Sequence, residues 1–76
     1  MLSFEQFLNK VDQAYNDRPF ELRYGQAVMS ILFEVWHKKY IQITTIDTEY
    51  DCFYDDGMVR LTLDFLEKEW NNERPI

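Results

Sequence analysis

One cysteine, one histidine and two glycines in 76 residues leave little material for several common chemistries. Cys52 has no second cysteine to pair with, which excludes a disulfide-framed fold and fits a reducing compartment; a small buried thiol is the expectation. One Cys and one His fall short of the four-ligand Cys/His sets that hold structural zinc. With Gly25 and Gly57 alone, there is no glycine-rich phosphate-binding loop. Long apolar runs are missing too. The longest uncharged stretch is Tyr24 to Phe33, ten residues, against about 20 for a membrane span. Glu5, Lys10 and Asp12 interrupt the region where a secretory signal would need an unbroken apolar core, so a soluble, cytoplasmic protein is expected.

Bases are scarce relative to acids, 8 against 14, and the imbalance is local. Residues 1–40 carry five acids and five bases, whereas residues 41–76 carry nine acids and three bases, so the whole net charge of −6 sits in the second half. Phosphate neutralisation by Lys and Arg supplies most non-specific nucleic-acid affinity. Direct binding to DNA or RNA is therefore not expected.

Aromatics, in contrast, are plentiful, at 17% of the chain. Each buries about 150–250 Å² when internal, and thirteen exceed what one small core hides, so some are expected at a surface suited to interfaces. One domain over residues 1–76 is expected, with residues 71–76 a frayed tail. Ser3 and Gln6 form a capping box ahead of the stripe Phe4, Phe7, Leu8, Val11 and Tyr15, which predicts a helix ended by Asn16-Asp17-Arg18-Pro19. A second helix is predicted from Leu22 to Lys39 on the stripe Tyr24, Ala27, Val28, Ile31, Leu32, Val35 and Trp36. Gly25 near its start suggests close approach of another backbone, and His37, Lys38 and Lys39 would complement its C-terminal carbonyls. A third helix is predicted from Gly57 to Trp70. The expectation is thus a mostly α, compact three-helix domain with a long, ordered, partly extended connection over residues 41–56. The alternation in IQITTI and in Val59 to Phe65 supports an α+β alternative, with a small hairpin from residues 40–46 and 58–65.

The connection holds TEYDCFYDDG, residues 48–57. Asp47, Glu49 and Asp51 alternate like the first three ligands of a calcium loop, but the glycine and twelfth-position glutamate such a loop needs are here Cys52 and Met58. An irregular divalent-ion site from Asp51, Asp55 and Asp56 is the remaining metal alternative; no metal and no cofactor are expected. Paired carboxylates do acid–base work only where a cleft separates their pKa values, and nothing requires Cys52 and His37 to meet, so no enzymatic activity is expected. Asp55-Asp56-Gly57 reads as a helix start, where Asp accepts orphan N–H bonds. What remains is an acidic, aromatic rim, and Asp47, Glu49, Tyr50, Asp51, Phe53, Tyr54 and Asp55 are the candidate partner-binding residues.

The pattern Arg23-x-Gly25-Gln26, followed by Asp51-x-Phe53-Tyr54-Asp55-Asp56 before the last helix, resembles one in small uncharacterised proteins of tailed phages and prophages. It spans roughly residues 4 to 70. Cys52 stands where that pattern often has proline. The resemblance implies a compact helical accessory protein made inside a bacterial cell, in a class where many members bind host proteins. The functional expectation is a non-enzymatic interaction module, plausibly a phage-encoded inhibitor or modulator that engages a basic surface of a host defence or nucleic-acid-handling protein. The alternatives are an acidic mimic competing for a nucleic-acid groove and a structural, homo-oligomerising protein.

Overall fold

The computed structural model describes residues 2–17 and 23–72. Four α-helices appear in it: α1 (Phe4–Asp17), α2 (Tyr24–Val35), α3 (His37–Thr45) and α4 (Val59–Asn72). Two single 3₁₀ turns, Thr48–Tyr50 and Asp56–Met58, lie between α3 and α4. The helical class holds, and no strand occurs among the described residues. None of the described helices is long and apolar enough to cross a membrane. The proposed turn at Arg18 and Pro19 and the start at Leu22 fall outside the described residues, as do residues 73–76; Asn71 and Asn72 close α4.

The Ser3–Gln6 capping box is formed: the Ser3 N–H donates to Gln6 Oε1 at 2.9 Å, and the Gln6 N–H donates to Ser3 Oγ at 3.1 Å. From there α1 sends Phe7 and Val11 into a core completed by Ala27, Val28, Met29 and Leu32 of α2, Ile43 of α3, Cys52, and Leu66 and Trp70 of α4. Trp70 gathers three rings around it: Phe7 at 4.9 Å, Phe4 at 5.8 Å and Trp36 at 4.8 Å between centroids. Its indole N–H donates to the Leu2 carbonyl at 2.7 Å, which ties the ends of the described chain together.

Two features differ from the three-helix expectation. The predicted second helix is divided at Trp36, whose φ of −147° and ψ of 69° leave the helical region although neither Gly nor Pro is nearby. Tertiary contacts impose this break. The Trp36 ring lies edge-on against Trp70, with Lys39 Nζ 5.0 Å from the Trp36 centroid. Lys39 is not a solvated helix-end cation. It is buried, and its ammonium donates to Glu69 Oε1 at 2.8 Å and Gln42 Oε1 at 2.9 Å. His37, Lys38 and Lys39 therefore open α3, where the positive dipole end disfavours them, and for Lys39 the α4 carboxylate offsets that cost.

The second difference is that residues 41–45 are helical, so the extended connection expected over 41–56 does not begin at 41, and the hairpin alternative of 40–46 with 58–65 does not stand. The β-branched residues of IQITT lower helix propensity by a few tenths of a kcal/mol each. That is outweighed here by a stripe in which Trp36, Lys39 and Ile43 face the core together. Thr44 and Thr45 turn their hydroxyls back onto the carbonyls of Tyr40 and Ile41, which gives them a partner within the helix. Only residues 46–58 form the irregular connection.

A side-chain bond also joins α1 to α2: Tyr24 Oη donates to Asp12 Oδ1 at 2.6 Å. Burial, then the hydrogen bond to Asp12 and its charge, push the Tyr24 phenol from its ordinary value near 10 up to about 12. The neutral phenol is the form the fold holds. Its contribution is complete below the unfolded value and is lost as pH rises through the folded one. Urea unfolding between pH 10 and 12 is thus expected to show the wild type losing stability more steeply than Tyr24→Phe; parallel curves would remove Asp12–Tyr24 as the cause.

Candidate functional site

The two halves of the Arg23-x-Gly25-Gln26 and Asp51-x-Phe53-Tyr54-Asp55-Asp56 pattern dock onto each other. Gly25, in the first turn of α2, lies directly beneath the Cys52 carbonyl, closer than any Cβ could sit. Its N–H donates to Asp56 Oδ1 at 3.0 Å, so a carboxylate 31 residues away satisfies an orphan donor at the start of α2. The Cys52 thiol lies 3.6 Å from the Gly25 carbonyl as its donor, and Arg23 Nη1 donates to the Tyr54 carbonyl at 3.3 Å. The Arg23 N–H is closed by Gln26 Oε1 at 3.1 Å. Burial is the main influence on the Cys52 thiol, pushing its pKa up. His37 packs elsewhere, edge-on to Phe33 at 4.6 Å.

Most acids of residues 47–57 accept a hydrogen bond within the fold. Asp47 Oδ2 accepts from Gln42 Nε2 at 2.6 Å. Asp51 Oδ1 accepts from the Phe53 N–H at 3.0 Å, and Asp55 Oδ1 accepts from the Gly57 N–H at 2.9 Å, capping the turn into α4. Tyr50 stacks on Phe65 at 4.0 Å and 8°, while its carbonyl accepts from the buried Thr62 hydroxyl at 2.6 Å. Glu49 is exposed. Among the described residues, no group of three or more His, Cys, Asp or Glu side chains is placed to hold a metal ion.

Three of the seven candidate residues, Asp51, Phe53 and Tyr54, come together on the wall of a depression of about 160 Å³. Asp47, Glu49, Tyr50 and Asp55 do not line it. The opposite wall is Tyr40 and Thr44 of α3, with buried Met29 beneath. A second depression, of about 170 Å³, shares Met29, Tyr40 and Phe53 and extends to Ser30 and Phe33. Each is smaller than the roughly 300–1,000 Å³ of small-molecule sites and suits individual side chains. Phe33 meets Tyr40 at 5.1 Å and 88°, and Phe53 meets Tyr54 at 4.8 Å and 72°. Tyr54 is 80% exposed and Phe33 51%.

Met29, Phe33, Tyr40 and Thr44 were not among the sequence candidates. One feature could have found Phe33, a large aromatic lying off the apolar stripe of α2; Tyr40 and Thr44 join only once residues 41–45 are helical. The chain matches no family model, no curated protein and no solved structure.

Proposed function

We propose that the chain is a non-enzymatic protein-interaction module that engages a basic partner protein through the face built by α2, α3 and residues 51–54. The observation that carries this reading is the exposure of Tyr54 and Phe33 on the rims of two joined depressions. Large aromatics that flank a pocket supply most of the energy at protein interfaces, and the acidic second half of the chain would steer a basic surface toward them. The resemblance to tailed-phage proteins makes a host defence or nucleic-acid-handling protein the proposed partner, and inhibition or modulation the proposed outcome. The mimic reading draws less support, because Asp47, Asp51, Asp55 and Asp56 each accept a hydrogen bond within the fold and so have a structural reason for their density.

Affinity capture from bacterial lysate, run in parallel with wild type and a Phe33→Ser/Tyr54→Ser variant, tests the reading. Both residues are exposed, so the variant is expected to fold while retaining at least about tenfold less of a specific partner, the effect of losing aromatic anchors. A partner retained equally by both proteins would overturn the assignment of this face. A wild-type dimer in light scattering that the variant lacks would replace it with self-association.

A further inference from the structure

We infer that the depression between Tyr40, Phe53, Tyr54 and Asp51 is a receptor for the guanidinium group of an arginine side chain presented by the protein partner; this rests on the interaction-module reading. Its shape comes from aromatic faces. Phe53 and Tyr54 form a corner at 72°, and Tyr40 of α3 and the buried Met29 join them in the lining. A planar cation stacks on such faces, and arginine does so more readily than the compact, strongly hydrated lysine ammonium.

The polar lining decides the sign of the ligand. Asp51 is half-buried, and Oδ1 is held by the Phe53 N–H, which leaves Oδ2 without a hydrogen-bond partner among the described residues. Thr44 directs its single hydroxyl proton to the carbonyls of Tyr40 and Ile41, so its oxygen can only accept. Among the described residues, no base lines the depression. The Arg23 guanidinium, which donates to the Tyr54 carbonyl, is not part of that lining. A carboxylate and a hydroxyl oxygen, both acceptors, beside three aromatic rings call for a ligand that is cationic, flat and rich in donors. Guanidinium has five N–H donors and no acceptor. A quaternary ammonium would satisfy the rings but neither oxygen, and an anion would meet Asp51.

The test is an NMR titration of the intact chain with N-acetyl-arginine methylamide, using the neutral citrulline derivative, the lysine derivative and tetramethylammonium for comparison. The arginine probe is expected to give saturable shifts at the amides of Thr44, Asp51, Phe53 and Tyr54. The other three are expected to bind at least about tenfold more weakly, given the strength of charge-assisted hydrogen bonds. Asp51→Asn keeps an acceptor for the Phe53 N–H and so keeps the turn; it is expected to lose at least about tenfold in arginine affinity with the remaining spectrum unchanged. Glu67→Gln, the loss of one negative charge at an exposed α4 position that does not line the depression, is expected to bind like wild type. Absence of saturable shifts, equal shifts with citrulline or tetramethylammonium, or full affinity in Asp51→Asn would each overturn the inference. A lysate partner lost in the Phe33/Tyr54 variant without any arginine effect would sink the guanidinium assignment alone. Arginine binding without such a partner would sink the interaction reading instead.

Discussion

Gly25→Ala is expected to destabilise the fold by about 3 kcal/mol, although alanine is the better helix former by about 1 kcal/mol. Conformation is not the reason, since no glycine among the described residues has positive φ. The reason is space: a Cβ at position 25 would collide with the Cys52 carbonyl oxygen, with the Cys52 carbonyl carbon and Asp56 Oδ1 each 3.1 Å away. A backbone carbonyl cannot rotate aside as a side chain can. The connection must retreat, loosening both the Gly25–Asp56 hydrogen bond and the Cys52–Gly25 contact. Overpacking of about 1–3 kcal/mol and loss of a charge-assisted bond of about 1.5–3 kcal/mol together exceed the helix gain. For a chain of this length total stability is roughly 4–11 kcal/mol, so the variant should be close to its limit. Urea unfolding followed by tryptophan fluorescence gives the magnitude. Alkylation of Cys52 gives the location: buried in the wild type, the thiol should react only in the variant or on unfolding. An alanine variant as stable as the wild type, with Cys52 still protected, would show that the docking does not constrain α2.

Trp70→Ala is expected to cost about 3–5 kcal/mol, the range for deleting a buried large aromatic. Trp70 is 4% exposed and is the common neighbour of Phe4, Phe7 and Trp36, so its loss opens a cavity bordered by α1, α4 and the break before α3. Trp70→Phe would retain much of the ring volume and lose the indole bond to the Leu2 carbonyl, for about 1–2 kcal/mol. Thermal melts of the three proteins check the order. If Trp70→Phe proved as damaging as Trp70→Ala, the hydrogen bond rather than the packing would hold the N-terminal segment down.

The contrast between these two sites explains which parts of the fold could be read from residues alone. The capping box at Ser3 and Gln6 and the stripe of α1 are local, and periodicity carries them, whereas α4 was only half legible because Val59 to Phe65 also alternates as a strand does. Gly25 was also legible, because a glycine early in a helix is costly enough to need a reason, and the Cys52 carbonyl is that reason. The division at Trp36 was not. Val35-Trp36-His37 contains no breaker, and the break depends on Trp70 and Glu69, more than 30 positions away. Lys39 misled for a related reason, since a lysine in sequence looks solvated until its carboxylate partner is placed. Asp51, Phe53 and Tyr54 are near neighbours in the chain, so sequence alone groups them. The facing wall, Met29, Tyr40 and Thr44, belongs to two helices whose mutual angle no local pattern encodes.

That angle gives the Lys39–Glu69 pair a mechanical meaning beyond its energy. The first wall residues, Met29 and Phe33, ride on α2; Tyr40 and Thr44 ride on α3; Trp36 is the pivot between them. Lys39 sits one residue before Tyr40, and its ion pair with Glu69 ties this end of α3 to α4. Loosening Glu69 is therefore expected to change the gap between Phe33 and Thr44, so the width of the proposed recognition face would be set from a residue that lines neither depression.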